Sequence, residues 1–316
     1  MGEFARTWRE YDLLEATPAN SDERARHRQR LAALEAKLWE LELKDAEDEA
    51  AQKELFEGFK SRVTNFFDWY KHRAGHARAM LMESKGMVFR ESKLPEFHVL
   101  IGVGLDSLAN KWECGYGPKV TCPGIDGAEL KSRYTNRWRF GEFLRLHGGA
   151  YFDMVAVPDL CERAKKAPEL LRAIERVAGT VDLTDVRKGD GDVSLSTLTR
   201  AAYEDGFAID EAWARRSLYG EILYTRYRCQ WIHEFEGSPE LEHDSPVPQL
   251  VEPHYMPTSG PADRKGKRRE WLRPVFTAEF LLRTYEAAIE SFEKACRRHG
   301  CHPCHGRRLP GCARPG

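Results

Sequence analysis

The residues best suited to acid–base and phosphate chemistry lie together in one segment, Arg226-Tyr227-Arg228-Cys229-Gln230-Trp231-Ile232-His233. Histidine titrates near neutral pH, so His233 can give or accept a proton, which contributes about 10² to 10⁴ in rate. Arginine stays charged and presents a planar set of donors to phosphate oxygens, a role open to Arg226 and Arg228. These side chains therefore have the chemistry to cleave RNA without a metal ion.

The spacing of these residues sets what one helix can do. On an ideal α-helix Arg228 and His233 are separated by about 140° around the axis and about 7.5 Å along it. Arg226 and His233 are nearly eclipsed, with Cys229 and Gln230 between them. Either arginine can reach a phosphate bound beside His233. Such spacing also arises by chance in many helices, so the surrounding elements have to support it.

The elements that position these residues are predicted to be helices. Asp210 to Glu234 forms one of them, and its apolar residues Leu218, Ile222, Leu223 and Trp231 can anchor it in a core. The most apolar stretch, His98 to Trp112, favours a buried helix. Further helices are predicted over residues 21–71, 134–146, 160–177, 194–201 and 277–298. The segment 237–274 is predicted to be a long, proline-rich loop that can hold a short hairpin. The fold class is thus mainly all-α.

Two of these segments resemble known sequences. The run Leu218 to Phe235 resembles the motif helix of HEPN-superfamily ribonucleases, in which an aromatic-rich helix leads to Arg-x4-6-His. The run Gly104-Leu105-Asp106-Ser107-Leu108-Ala109 resembles the first helix of such domains, where a polar or acidic residue often faces the motif. Asp106 matches that position. The resemblance covers roughly residues 96 to 297, and it is specific only around 218–235 and 98–112.

The resemblance implies a fold and an activity. It implies a HEPN-like helical bundle that cleaves RNA as a homodimer, at a composite site built from two Arg-x4-His motifs. His233 would be the acid and base, Arg228 would clamp the phosphate, and Asp106 and Arg226 would support them. It also implies a role in prokaryotic defence or in a toxin–antitoxin pair.

Two alternatives stay open beside this hypothesis. In the family the residue after the motif arginine is usually Asn, Asp or His, whereas here it is Cys229. A catalytically inactive HEPN-like module that binds RNA or protein is therefore one alternative. The other is a helical scaffold in which residues 21–70 dock a partner such as an antitoxin.

A basic run before Trp271 is a candidate RNA contact. The predicted RNA-binding residues are Arg264, Lys265, Lys267, Arg268, Arg269 and Trp271. The cations would follow the backbone and the tryptophan would stack on a base. The alternative is a solvated loop, which is the usual state of a charged run.

The C-terminal tail carries enough ligands for one zinc ion, with Cys296, Cys301, Cys304 and His305 as the weak candidate set. Its Arg-, Gly- and Pro-rich flanks offer no core, so a disordered tail is the alternative. No cofactor is expected. The domain boundaries follow: residues 1–95 form an N-terminal helical extension, 96–297 the HEPN-like domain and 298–316 the tail.

The bulk composition limits the possible partners. The 316 residues are 41% hydrophobic and 31% charged, with a formal net charge of -1. RNA must therefore bind to a local basic patch or a dimer surface, because the net charge gives no overall electrostatic attraction to a polyanion. No segment approaches about twenty consecutive apolar residues, and the first seven residues lack the apolar stretch of a signal peptide. A cytoplasmic protein with no membrane contact is expected.

Overall fold

The computed structural model describes the ranges 49–85, 92–115, 133–165, 167–178, 192–204, 209–228, 252–262 and 268–299. It also describes the isolated positions 6, 7, 10, 30, 33, 34, 36–38, 40, 41, 206 and 303. These residues are mainly α-helical, which confirms the predicted fold class.

Nine α-helices are labelled here in chain order within these ranges. They are α1 (Glu49–Glu83), α2 (Leu94–Gly115), α3 (Arg133–His147), α4 (Val157–Ala164), α5 (Pro168–Ala178), α6 (Leu195–Glu204), α7 (Glu211–Arg215), α8 (Tyr219–Ile222) and α9 (Ala278–His299). A 3₁₀ turn spans Ala150–Asp153, and a π-helical segment spans Leu223–Arg228.

Four strands form two small antiparallel sheets in the same ranges. Strand β1 (Met154–Val155) pairs with β2 (Val193–Ser194). Strand β3 (His254–Ala262) pairs with β4 (Arg268–Val275), and Thr258 lies opposite Trp271. The second pair lies largely within the segment 237–274, for which the sequence predicted a loop that can hold a short hairpin.

The prolines of this hairpin explain why the sequence favoured a loop. Pro257 lies in β3 and Pro274 in β4, and proline cannot donate to a strand ladder. In a two-stranded sheet, however, each strand has one unpaired edge, where a missing N–H costs little. Proline is therefore compatible with both strands of the pair.

The helix boundaries follow from local capping. The Thr277 hydroxyl accepts a hydrogen bond from the Phe280 N–H at 3.1 Å, which starts α9 where the sequence predicted. The predicted helix 160–177 was wrong as one element, because it consists of α4 and α5. Pro168 begins α5, and the residue before a proline is biased away from helical angles, so the break falls there.

The contacts divide the chain into two compact units. The first comprises residues 1–75, 104–139 and 286–316, and the second comprises 76–103 and 140–285. Helices α1, α2, α3 and α9 each contribute residues to both. The boundaries predicted at residues 95 and 297 stay predictions.

The core of the first unit is largely aromatic. The Phe67 ring meets the Phe292 ring edge-on at 5.4 Å, and both side chains are fully buried. Leu105, Leu108 and Trp112 of α2 are also buried. These positions repeat every three or four residues, which is the periodicity that predicted this helix.

The second unit has an aliphatic cluster and an aromatic one. Val155, Leu160, Ile174, Leu198 and Leu218 are among the buried members of the aliphatic cluster, which joins β1 to α4, α5 and α6. The aromatic cluster contains Tyr219, Phe276 and Phe280, with ring centroids 5.5–5.9 Å apart.

No helix within the described ranges is long and apolar enough to cross a bilayer.

Candidate functional site

The predicted motif helix is divided into three pieces. Helix α7 ends at Arg215, α8 begins at Tyr219, and the π-helical segment follows from Leu223 to Arg228. The prediction of one helix from Asp210 was therefore wrong over Arg216–Leu218. The positions of Cys229 and His233 lie outside the described residues.

Pairing with β1 causes the interruption. Leu218 has extended backbone angles and forms an isolated antiparallel bridge with Val155. The Ala156 N–H donates to the Ser217 carbonyl at 2.8 Å. These backbone groups thus find partners in β1 and the residue after it, so the helix can stop without leaving them unsatisfied. Leu218, Ile222 and Leu223 are buried, which confirms their predicted anchoring role.

The π-helical segment carries both candidate arginines. A π-helix has i→i+5 hydrogen bonds, so angles calculated for an α-helix do not apply between Leu223 and Arg228. The Thr225 hydroxyl donates to the Glu221 carbonyl at 2.8 Å, a side-chain contact that commonly bends helices. Single π turns occur frequently at functional sites.

Arg226 is held by a chain of buried polar groups. Its guanidinium donates to the Asp159 carboxylate, which is 8% exposed, while the arginine side chain is 41% exposed. The Ser217 hydroxyl also donates to Asp159, at 2.7 Å. Arg163 donates to the Ser217 hydroxyl and to the Trp213 carbonyl, both at 2.9 Å. The chain fixes Arg226 relative to α4 and α7.

Arg163, at the inner end of this series of contacts, is partly buried. The Arg163 guanidinium stacks over the Trp213 ring at 4.7 Å. Burial lowers the pKa of Arg163, and the nearby Asp159 carboxylate partly opposes that shift. Arginine nevertheless stays charged in proteins, so Asp159 lies close to two cations.

Arg228 has a different support. Its guanidinium lies 5.2 Å from the centroid of the Tyr224 ring, and that ring packs against Phe140 at 5.3 Å. A guanidinium stacked on an aromatic ring can still direct N–H groups to a phosphate. The two arginines are therefore braced separately, one by a carboxylate and one by an aromatic pair.

A second buried aspartate holds the start of the segment. Asp192 accepts hydrogen bonds from the Val157 N–H at 3.0 Å, from the Tyr255 hydroxyl at 2.5 Å and from the Tyr219 hydroxyl. Burial, followed by the negative charge of Asp192, raises the pKa of Tyr219 well above its usual value. For Tyr255, burial and then the neighbouring Tyr219 raise the pKa. Both phenols therefore stay protonated donors.

Two glycines allow α8 to lie close to α3. A Cβ atom on Gly220 would lie 3.1 Å from the Gly141 Cα, and one on Gly141 would lie 3.2 Å from a carboxylate oxygen of Glu221. A Cβ atom at either position would require its neighbour to shift by a few tenths of an ångström. The approach places the start of the π-helical segment firmly against α3.

The other predicted site residues are placed as follows. Asp106 lies in α2 with its carboxylate 3.5 Å from the Arg139 guanidinium, which also donates to Asn110 at 3.2 Å. This contact lies in the first unit, whereas Arg226 and Arg228 belong to the second. The support of the motif by Asp106 stays a prediction.

Part of the basic run lies on the hairpin. Three of the predicted RNA-binding residues, Arg268, Arg269 and Trp271, lie in β4. The other three, Arg264, Lys265 and Lys267, lie outside the described ranges. Their contact with RNA stays a prediction.

For the zinc prediction, the structure describes only Cys296 of the candidate ligands. This thiol is fully buried in α9, while Cys301, Cys304 and His305 lie outside the described residues. Among the described residues, no group of three or more His, Cys, Asp and Glu side chains could hold a metal ion.

Sequence reasoning missed the two aspartates that support Arg226 and the start of α8. Asp159 follows Val157-Pro158 at the start of a helix, where an acidic residue is ordinary because it favours the helix dipole. Asp192 lies in the Gly- and Asp-rich stretch 181–193, which contains several other aspartates. The Val-Pro start of α4 was the one usable signal, because it indicated a helix beginning before Leu160.

No protein-family model, curated protein or solved structure matches the chain.

Proposed function

We propose that the protein is a metal-independent endoribonuclease that uses Arg228 and His233. The observation that carries the proposal is the π-helical segment Leu223–Arg228, which holds two separately braced arginines directly before the stretch that leads to His233. Arginines fixed in advance bind phosphate with less loss of side-chain entropy. Histidine near such a phosphate supplies the proton transfers.

The reaction needs no further reagent. A base takes the proton of a ribose 2′-hydroxyl, and the 2′-oxygen forms a bond to the adjacent phosphorus. The bond from phosphorus to the 5′-oxygen breaks, and that oxygen receives a proton from an acid. The products are a 2′,3′-cyclic phosphate and a 5′-hydroxyl. His233 serves as base, a second copy's His233 serves as acid, and Arg228 stabilises the charge on the phosphate oxygens.

The remaining parts of the proposal come from the sequence. A homodimer with a HEPN-like fold brings two motifs to one cleft, and Asp106 and Arg226 support it. The run from Arg264 to Trp271 adds contacts to the RNA backbone and a base. A cytoplasmic role in defence or as a toxin, with a protein antitoxin at the N-terminal helices, belongs to the same proposal.

The test is cleavage of single-stranded RNA by the full chain in the presence of EDTA. We expect the parent to cleave with and without EDTA. His233→Ala should lower the rate by about 100-fold or more, because a general acid–base contributes about 10² to 10⁴. Arg228→Lys should lower it less than Arg228→Ala, because lysine keeps the charge but loses the planar donors. Arg200→Ala, on the exposed surface of α6, is the matched control.

The outcomes separate clearly. Loss of cleavage on addition of EDTA would contradict the metal-independent mechanism. Cleavage that is unchanged in both His233→Ala and Arg228→Ala would remove these residues from the active site.

A second function is favoured by one contact. The Arg226–Asp159 ion pair compensates one of the two motif cations internally, and Cys229 replaces the polar residue usual in the family. An RNA-binding module that does not cleave would have these properties. RNA binding by the parent, without any cleavage at high protein concentration, would support this second function.

A further inference from the structure

Helix α1 presents an aromatic side chain on its outer face. Trp69 is 51% exposed, although tryptophan is usually buried for most of its surface. The opposite face of the helix contains the buried residues Val63, Phe67 and Tyr70. Trp69 is thus exposed because it lies on the face of α1 that is opposite the buried residues.

A cation is stacked on this tryptophan. The Arg73 guanidinium lies 3.9 Å from the centre of the Trp69 ring, one helical turn further along the chain. The Tyr70 ring also meets the indole edge-on, with 4.8 Å between the ring centroids, and half of the Trp69 residue remains exposed to solvent. An indole held between a guanidinium and a second ring keeps its orientation, so its exposed part can stack with another planar ring.

The surroundings of Trp69 are cationic and polar. At about 100° per residue, the face that contains Trp69 and Arg73 also contains Arg62, Asn65 and His72, within a sector of about 100°. Between Gly58 and Arg73, every residue of which is described, this sector carries no acidic side chain.

The acidic side chains that flank the sector are paired with lysines. The Asp68 carboxylate lies 3.6 Å from the Lys71 ammonium, which Glu293 also contacts at 2.7 Å, and the Glu57 carboxylate lies 2.6 Å from the Lys60 ammonium. The hydrogen bond to Lys60 lowers the pKa of Glu57, so this carboxylate stays ionised and compensated. Glu57 is therefore compensated by Lys60, and Asp68 is compensated in part by a lysine that it shares with Glu293.

We infer that this face of α1 is a binding surface for single-stranded RNA, on which one base stacks against Trp69 and the backbone passes Arg73. The inference rests on the proposed ribonuclease activity for its choice of RNA. The physical basis is that stacking on an aromatic ring tolerates every base, while cations beside the ring contact phosphates. A duplex would bind more weakly at this face, because its bases are already stacked on each other.

The experiment measures binding of a fluorescently labelled single-stranded RNA to the full chain. All proteins carry Arg228→Ala, so that the probe stays intact. Trp69→Ala should weaken binding by about 5- to 150-fold, which corresponds to about 1–3 kcal/mol for one stacked base. Trp69→Phe keeps a ring and should lose less. Arg73→Ala should lower the slope of the logarithm of affinity against the logarithm of salt concentration by about 0.7.

A matched pair elsewhere on the chain serves as the control. Arg200 and Tyr203 lie three residues apart on α6, and Tyr203 is 81% exposed. Arg200→Ala and Tyr203→Ala should leave the affinity within about twofold of the parent. The far-ultraviolet circular dichroism of each variant checks that the helices are retained.

The results distinguish this surface from the nuclease site. If Trp69→Ala binds RNA as well as Tyr203→Ala does, the surface is overturned, whatever the cleavage assay shows. If Trp69→Ala weakens binding while the parent cleaves no RNA, the surface stands and the proposed catalysis fails. Cross-linking of a thiouridine-containing RNA to residues 62–73, lost in Trp69→Ala, would confirm the position.

Discussion

Two buried aspartates support the same stretch of chain by different means. Asp159 receives the Ser217 hydroxyl and the guanidinium of Arg226. Asp192 receives the hydroxyls of Tyr219 and Tyr255 and a backbone N–H. The first aspartate therefore acts on the end of the π-helical segment, and the second acts on the start of α8.

The two carboxylates differ in whether their hydrogen-bond donors can also contact another anion. The donors named at Asp192 are short or rigid groups inside the unit, so replacing them requires the core to open. Arg226 reaches Asp159 through a long side chain that is 41% exposed, and a guanidinium has donors for a second anion. We expect Asp192 to contribute mainly to stability, and Asp159 to set the position of a cation that a phosphate can also contact.

The largest effect is expected from removing Asp192. Asp192→Ala leaves two buried phenols and the Val157 N–H without their carboxylate acceptor. An unsatisfied buried polar group costs about 1–3 kcal/mol, so the free energy of unfolding should fall by about 3–5 kcal/mol. Urea unfolding followed by circular dichroism measures this change.

The matched control for this substitution is Asp153→Ala. The Asp153 carboxylate is half exposed and lies 4.0 Å from Arg145, so its loss should cost less than about 1 kcal/mol. Equal losses in Asp192→Ala and Asp153→Ala would show that the three donors at Asp192 contribute no more than a surface ion pair.

His98 and His147 give a third case for this comparison, in which burial is the largest cause of the pKa shift. Burial lowers the pKa of each to about 4. The unfolded chain, with an ordinary histidine pKa near 6.5, therefore takes up a proton first as the pH falls. Stability should be full above pH 6.5 and decrease between pH 6.5 and about 4, by about 2 kcal/mol per histidine at pH 5.

Urea unfolding at pH 7 and pH 5 tests this pH dependence. His98→Gln removes one titrating group, so it should lose about 2 kcal/mol less than the parent between the two pH values. His76→Ala, on the exposed surface of α1, should keep the parent's dependence. An equal loss in His98→Gln and in the parent would mean that burial does not keep His98 neutral.

Elements with strong local signals could be predicted from the sequence. Helix α9 begins after its Thr277 cap. Helix α2, from Leu94 to Gly115, contains the apolar stretch His98 to Trp112 that predicted it. Local capping and periodicity decide such helices. The break at Arg216–Leu218 could not be predicted in this way, because the pairing of Leu218 with Val155 joins residues that are distant in the chain.

The candidate site was predictable only in its charged residues. Arg226 and Arg228 stand out by type and spacing, whereas Asp159 and Tyr255 are ordinary residues until the fold brings them to the segment. The π-helical turn Leu223–Arg228 has no sequence pattern that separates it from an α-helix.

A smaller effect is expected at the Asp159–Arg226 pair. In a double-mutant cycle with Asp159→Ala and Arg226→Ala, the coupling energy should be about 1–2 kcal/mol. Solvent around the arginine screens the pair, while burial of the aspartate strengthens it. Asp159→Ala alone should cost more than Arg226→Ala, because it also removes the acceptor of the Ser217 hydroxyl. A coupling energy near zero would mean that this pair contributes no more to stability than an exposed ion pair does.

The smallest effects separate the two tyrosines at Asp192. Tyr219→Phe and Tyr255→Phe each remove one donor and keep the ring, so each should cost about 1–2 kcal/mol. The two hydroxyls lie 3.3 Å apart, so each remaining phenol can adjust toward the carboxylate. The double variant should therefore cost more than the sum of the two, because it removes both donors at once. Additive losses measured by urea unfolding would mean that the hydroxyls act independently, and Asp192 would then resemble Asp159 more closely than its buried donors suggest.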